Sequence, residues 1–184
     1  MDDDSQAIRC LKNGDIGGLE ILVTRYQIKA LRAAFLIVHN QQIAEEVVQE
    51  TFLRVFKSIR RFDENRPFGP YLLRGVVNAA LDVAQKESKW DALDDGIEAV
   101  EKLIEYAITV EAQVEFNGLR QDIYQALEQL SPRQRAAIVL RYYFEMSEKE
   151  MAESLNTAPG TVKWLLNAGR ERLRILLGSE RSVR

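Results

Sequence analysis

Residues 130–173, LSPRQRAAIVLRYYFEMSEKEMAESLNTAPGTVKWLLNAGRERL, decide the fold class, because each helix start in this stretch can be assigned its own local chemistry. Ser131-Pro132 offers an N-cap followed by proline at the first helical position, where the missing amide hydrogen is not needed. Ser147-Glu148-Lys149-Glu150 has the spacing of a capping box, in which the serine hydroxyl and the glutamate carboxylate each satisfy a free backbone amide. Pro159 again suits a first helical turn. Asn156-Thr157-Ala158 is a tight connection, so the flanking helices, expected at 148–155 and 159–177, form a helix-turn-helix unit whose second helix is free to enter a major groove. On that second helix Val162, Leu166, Gly169 and Leu173 follow helical spacing toward a core. Thr161, Lys163, Asn167, Arg170 and Arg174 fall off that face and carry donors that reach phosphates or base edges. A generic surface helix shows the same periodicity, so the pattern alone leaves both readings open.

Working outward, helices are expected at 110–129 and 132–143, and toward the N-terminus at 5–13, 15–38 and 41–61, with Gly14-Asp15 and His39-Asn40 as breaks. The third of the N-terminal helices has Ile43, Val47, Phe52, Val55 and Ile59 along one side. Phe62 to Pro70 carries two prolines, a glycine and an Asp-Glu-Asn cluster, which is loop chemistry, and a further helix is expected from about Tyr71 to Lys86. Residues 88–118 keep only part of a helical pattern (Ile97, Val100, Ile104, Ile108) and read as a linker with a short helix. No strand signal, repeat or low-complexity segment is present. The expectation is an all-α chain of two small helical domains, 1–87 and 119–184, joined by an acidic linker, 88–118.

Charge supports that division. The net charge is only -3, but residues 1–90 hold 13 Lys/Arg against 12 Asp/Glu, residues 91–118 hold 1 against 8, and residues 119–184 hold 11 against 8. A surplus of +3 over the last segment is weak for a DNA-binding domain, so DNA affinity of the isolated chain should be low and easily screened by salt. The acidic start Met1-Asp2-Asp3-Asp4 and the lack of a run of about 18 apolar residues predict neither secretion nor membrane insertion, and hence a cytoplasmic protein. Cys10 and His39, the only residues of their types, stand far apart and are expected to be packing or surface residues, not metal ligands. With no phosphate-cradling glycine loop and no nucleophile beside a base, the sequence reads as a non-enzyme without a cofactor.

A family resemblance then adds to these readings. Ala44-Glu45-Glu46-Val47-Val48-Gln49-Glu50-Thr51-Phe52-Leu53-Arg54-Val55-Phe56, followed by Phe62-Asp63, Arg66-Pro67-Phe68, Asn78 and Asp82, resembles conserved region two of extracytoplasmic-function sigma factors. Leu130-Ser131-Pro132-Arg133-Gln134-Arg135, Glu150-Met151-Ala152, Gly160-Thr161-Val162-Lys163 and Arg170-Glu171-Arg172-Leu173 resemble their region four. The two matches cover most of residues 15–86 and 119–177 in the right order.

This resemblance implies a bacterial transcription-initiation factor that binds the RNA polymerase core enzyme, recognises promoter DNA and promotes its melting, with an anti-sigma protein as a further partner. Glu46, Gln49, Glu50 and Arg54 would clamp the coiled coil of the largest polymerase subunit. Phe62, Arg66, Phe68, Tyr71, Arg74 and Asn78, with Leu72, would capture the melted minus-ten element, where an unstacked base needs apolar walls and a few edge-reading donors; a plain core role for Phe68, Tyr71 and Leu72 is the alternative. Thr161, Lys163, Trp164, Asn167, Arg170 and Arg174 would contact the minus-thirty-five element. The acidic linker would thread the polymerase cleft and imitate RNA, or serve as a soluble spacer.

The chain also departs from the family. Leu165 and Ala168 stand where the recognition helix usually carries arginines, and Trp164 where a small polar residue is usual. Asp82-Val83-Ala84-Gln85-Lys86 replaces a terminal arginine cluster. Trp164 and Leu165 on an otherwise exposed face suggest either contact with thymine methyls or a surface covered by a protein partner, the second being preferred. The rival readings are a dimeric helix-turn-helix regulator, which leaves the first 86 residues unexplained, and a sigma-like decoy or co-factor-dependent paralogue.

Overall fold

The structure, a computed structural model, describes residues 3–87 and 113–180. Of the linker expected at 88–118, residues 88–112 lie outside the described residues. Five helices form the N-terminal half and the first link to the second: α1 (Asp3–Lys12), α2 (Gly17–Val38), α3 (Gln41–Ser58), α4 (Phe68–Glu87) and α5 (Gln113–Glu128). The C-terminal half continues with α6 (Pro132–Ile138), α7 (Glu148–Ser154) and α8 (Pro159–Glu180). A 3-10 turn, Ile59–Arg61, ends α3, and a π-helical turn, Val139–Tyr143, ends α6.

The elements form where capping and periodicity place them. His39 closes α2 in the left-handed conformation (φ 55°), with its amide donating to the Phe35 carbonyl, and Asn40 then caps α3 by accepting from the Ile43 amide. Both Ser131 and Ser147 make complete capping boxes, with Gln134 and Glu150 as the reciprocating side chains. Ser147 holds the Glu150 carboxyl below the usual carboxylate range through side-chain and backbone hydrogen bonds. One expectation is corrected: α4 starts at Phe68, not Tyr71. Pro70 is its third residue, where the amide would have no intrahelical acceptor, so proline is tolerated there.

Leu22, Ile37, Leu72, Val76 and Val77 fill the N-terminal core, and Thr51 is buried among them by donating its hydroxyl to the Val47 carbonyl (2.7 Å). Leu140, Met151, Val162 and Leu166 fill the C-terminal one. The sequence leads one to expect two halves free to move on their linker, yet here α2 and α4 pack against α6. At this seam Tyr124 of α5 stacks on Phe35 (5.5 Å between ring centroids), and the His39 ring lies 4.6 Å from Tyr124. Both His39 nitrogens, the Tyr124 hydroxyl and Arg135 Nε are buried without a protein hydrogen-bond partner. Burial, reinforced by the positive charge of Arg135, pushes the His39 pKa down to about 3. Lys29 Nζ lies 5.4 Å from the centre of the Phe144 ring, and Arg74 of α4 donates to the Glu153 carbonyl of α7. Among the described residues no helix is long and apolar enough to cross a membrane, and no three His, Cys, Asp or Glu side chains are grouped to hold a metal ion.

Candidate nucleic-acid and protein interfaces

Three surfaces carry the residues singled out from the sequence. On α3, Glu46, Gln49, Glu50 and Arg54 are all exposed and form one polar stripe. Arg54 pairs with Glu50 at 3.1 Å, and Gln42 donates to Glu46 at 3.3 Å. Such solvent-exposed bonds stabilise the helix only slightly and leave the groups available to a partner. Beside the stripe, α2 and α3 enclose an apolar groove of about 630 Å³, lined by Leu19, Val23, Leu31, Val48, Phe52 and Leu53, with Gln49 at its border. Sequence reading passed over this groove. Its signal was present in Ile28, which lines it and stays 41% exposed on a helix apolar on more than one side.

The second surface is the 62–67 loop and the start of α4. Phe62 and Phe68 are 7% and 2% exposed and meet edge to face at 5.6 Å, so they are the floor of the surface and not its contact groups. The expectation of both rings as contact groups is corrected to one of buried support: Phe62 packs against Phe68 and Tyr71, and Phe68 also against Tyr26. Tyr71 is 40% exposed and its ring lies 4.9 Å from Phe62, with its hydroxyl 3.4 Å from Ser58 Oγ. Arg66 and Arg74 are exposed and Asn78 is half-buried. Leu72, fully buried, is plain core.

The loop is held from both ends. Lys12 of α1 donates to the Phe62 carbonyl (2.8 Å) and to the Glu64 carboxylate (2.7 Å). Asp63 accepts from both the backbone and the side chain of Asn65, which holds its carboxyl below the usual range, and Arg66 lies 3.7 Å away. A Cβ on Gly69 would come within 2.9 Å of the Tyr26 ring, so glycine lets α4 start against that ring. Tyr26 in turn donates to Asp4, which also pairs with Arg25. These α1 contacts are absent from any local sequence pattern, because they join residues 21 to 52 positions apart.

The third surface is the helix-turn-helix of α7 and α8. Asn156 takes the left-handed conformation (φ 46°) in the turn, and the Thr157 amide donates to the Ala152 carbonyl at 3.0 Å. On α8, Lys163, Trp164, Asn167, Arg170 and Arg174 are exposed and Thr161 is half-buried. Arg170 Nε donates to the Tyr142 hydroxyl (2.8 Å) with its guanidinium over that ring, and Arg174 pairs with Glu171 at 2.7 Å. The expected exposure of Leu165 is also corrected. It is 4% exposed and belongs to the core, whereas Trp164 beside it is 63% exposed. The buried stripe of α8 runs through 162, 165, 166 and 169, the full width a helix buries against two neighbours. Gly169 allows close packing on α6, where a Cβ would stand 3.3 Å from Ile138.

Comparison with known proteins gives the surfaces a context. The sigma-70 region 2 family matches residues 22–89 and the sigma-70 region 4 family matches residues 120–173. The ECF RNA polymerase sigma factor SigW of Bacillus subtilis (strain 168) is 33% identical over 91% of this chain and 92% of its own. The ECF RNA polymerase sigma factor SigE of Mycolicibacterium smegmatis is 30% identical over 88% of this chain and 62% of its own. Among solved structures, CnrH in complex with the cytosolic domain of CnrY superposes with a TM-score of 0.64 at 23% identity, covering 97% of this chain and 99% of that one. By these matches, which span both helical halves and the stretch between them, the chain belongs to the ECF RNA polymerase sigma factors, which are DNA-binding initiation factors and not classical enzymes.

Proposed function

We propose that this protein binds core RNA polymerase, directs it to promoters through minus-thirty-five and minus-ten elements, and takes part in melting the DNA. The observation that carries the reading is the succession, on one chain, of an exposed polar stripe beside an apolar groove on α3, a loop with an aromatic floor at α4, and a helix-turn-helix with exposed donors on α8. The stripe and groove suit an amphipathic helix of the polymerase, whose apolar side would fill the groove while Gln49, Glu50 and Arg54 meet its polar flank. At the second surface Arg66, Tyr71, Arg74 and Asn78 supply the contacts, with Phe62 and Phe68 beneath them. Arg74 must leave the Glu153 carbonyl to reach DNA. The domain division 1–87, 88–118 and 119–184 is part of this proposal, with α5 running across its second boundary.

Energetics sets the division of labour with the polymerase. Opening a base-pair step costs about 1.4 kcal/mol, so a bubble of roughly ten steps exceeds what one small loop can offset. Free protein should therefore bind promoters poorly. A protein inhibitor is also proposed, in line with the solved RpoE of Bartonella quintana in complex with the anti-sigma factor NepR.

Run-off transcription on a genomic fragment library, with and without the protein, tests the proposal. New transcripts that start downstream of a shared motif only in its presence are expected; none, despite binding to core polymerase, would favour the decoy reading. Within an initiating system the surfaces should separate. Asn78→Ala is expected to lower open-complex formation more than polymerase binding, and Gln49→Ala with Glu50→Ala together to do the reverse. Equal loss of both steps in both variants would sink this division.

A further inference from the structure

We infer that Trp164 reads a thymine methyl in the major groove of the upstream promoter element, an inference that rests on the function proposed above. Trp164 is the sixth residue of α8, within the N-terminal half of the second helix of the helix-turn-helix, the part that contacts base edges when such a helix enters a groove. Its indole is 63% exposed, far more than packing on its own domain requires.

The neighbours decide between a base and a protein as the occupant. Leu165, the large apolar neighbour that would extend Trp164 into a patch, is 4% exposed and turned into the core. The neighbouring positions of α8 that are not buried include Thr161, Lys163, Asn167 and Ala168, of which Ala168 alone is apolar and is half-buried, and the next strongly exposed apolar side chain on the helix, Ile175, is eleven residues on, roughly 16 Å along the axis. A lone aromatic set among hydrogen-bond donors does not make a protein-docking face, which needs contiguous apolar area. It does match DNA, where donors engage phosphates and acceptor edges while one apolar group meets one apolar feature.

The chemistry of the groove narrows the target. Guanine presents two acceptors there, cytosine a donor, and adenine an acceptor with a donor; only thymine presents an apolar group, its C5-methyl. Lys163, Asn167, Arg170 and Arg174 recur at intervals of three and four residues and form a donor stripe, while Trp164 is turned about 100° from Lys163. The donors and the indole can therefore engage different parts of the groove in one docking pose.

The test uses the full chain assembled with core polymerase on a promoter found by the run-off experiment. Each thymine of the upstream element, on either strand, is replaced in turn by deoxyuridine, which keeps O4 and all pairing groups and removes only the methyl. At one position the wild-type holoenzyme is expected to bind roughly fourfold more weakly, the equivalent of one methyl group withdrawn from burial. Trp164→Ala should bind unmodified promoter more weakly and be indifferent to uracil at that position, and Trp164→Phe should keep part of the sensitivity. Tolerance of uracil everywhere by the wild type, or undiminished sensitivity in Trp164→Ala, overturns the inference while initiation stands. Unchanged promoter affinity in Trp164→Ala with weakened binding of a protein inhibitor overturns it in favour of a protein contact. Failure of the unmodified wild type to initiate anywhere overturns the proposed function itself.

Discussion

Lowering the pH from 6.5 to 4.5 is expected to cost this protein roughly 2 to 3 kcal/mol more stability than it costs a His39→Asn chain. The His39 ring is buried at the seam with a pKa pushed down to about 3, against an ordinary value of 6.5. The folded, closed form therefore stays unprotonated over a range in which an unfolded or opened chain takes up a proton. Stability is undiminished above the ordinary pKa, falls by about 1.4 kcal/mol per pH unit below it, and levels off only near the folded value. The groups that face the ring allow no relief: Arg135 from α6 is positive, Tyr124 from α5 is a phenol, and Glu128, also on α5, acts on both of these. Asparagine tolerates the left-handed backbone at position 39 and does not titrate. It loses the ring contacts with Phe35 and Tyr124, so only the change between the two pH values is compared. Urea denaturation at each pH reads it, and parallel losses in the two chains would remove His39 from the account.

That seam could not be read from the sequence, and the reason is physical. Helices were legible because capping chemistry and apolar periodicity are local: Ser131, Ser147 and Asn40 sit one position before α6, α7 and α3. A contact between Phe35, His39 and Tyr124 depends on how two halves dock across more than eighty residues, which no local pattern records. His39 itself carried a weak clue, since it occupies a helix-closing position where glycine or asparagine is usual.

The sites show the same division. Residues that project from a single helix, such as Lys163 and Asn167, were placed on an exposed face by spacing alone, and Gln49 and Glu50, named through the family resemblance, are exposed as well. Phe62 and Phe68 were not, because a phenylalanine in a proline-rich loop serves equally as a contact or as a floor. Their burial is decided by Tyr26, Tyr71 and α1. Leu165 was misplaced because comparison with arginine at that position drew attention to the groove. Its spacing, three residues after Val162 and four before Gly169, already put it on the buried stripe.

Gly18→Ala should destabilise the protein by about 1 to 3 kcal/mol, although alanine is the better helix former. Gly18 has no unusual backbone conformation; it is the second residue of α2, at the point where α1 crosses it. An added Cβ would stand 2.2 Å from the Ala7 carbonyl oxygen and 3.0 Å from Leu11 Cγ. The first neighbour is helix backbone and cannot swing aside, so α1 has to move away from α2 as a unit. Gly160→Ala is the matched comparison, since it is the second residue of α8 and a Cβ there meets nothing within 4 Å. That change should stabilise by roughly 0.5 to 1 kcal/mol. Opposite signs in thermal or urea unfolding of the two variants are expected, and a neutral Gly18→Ala would mean that the α1 crossing is looser than described. The consequence reaches the proposed promoter surface. α1 holds the 62–67 loop through Lys12 and braces Tyr26 through Asp4, so displacing it should also lower open-complex formation at temperatures where the variant remains folded.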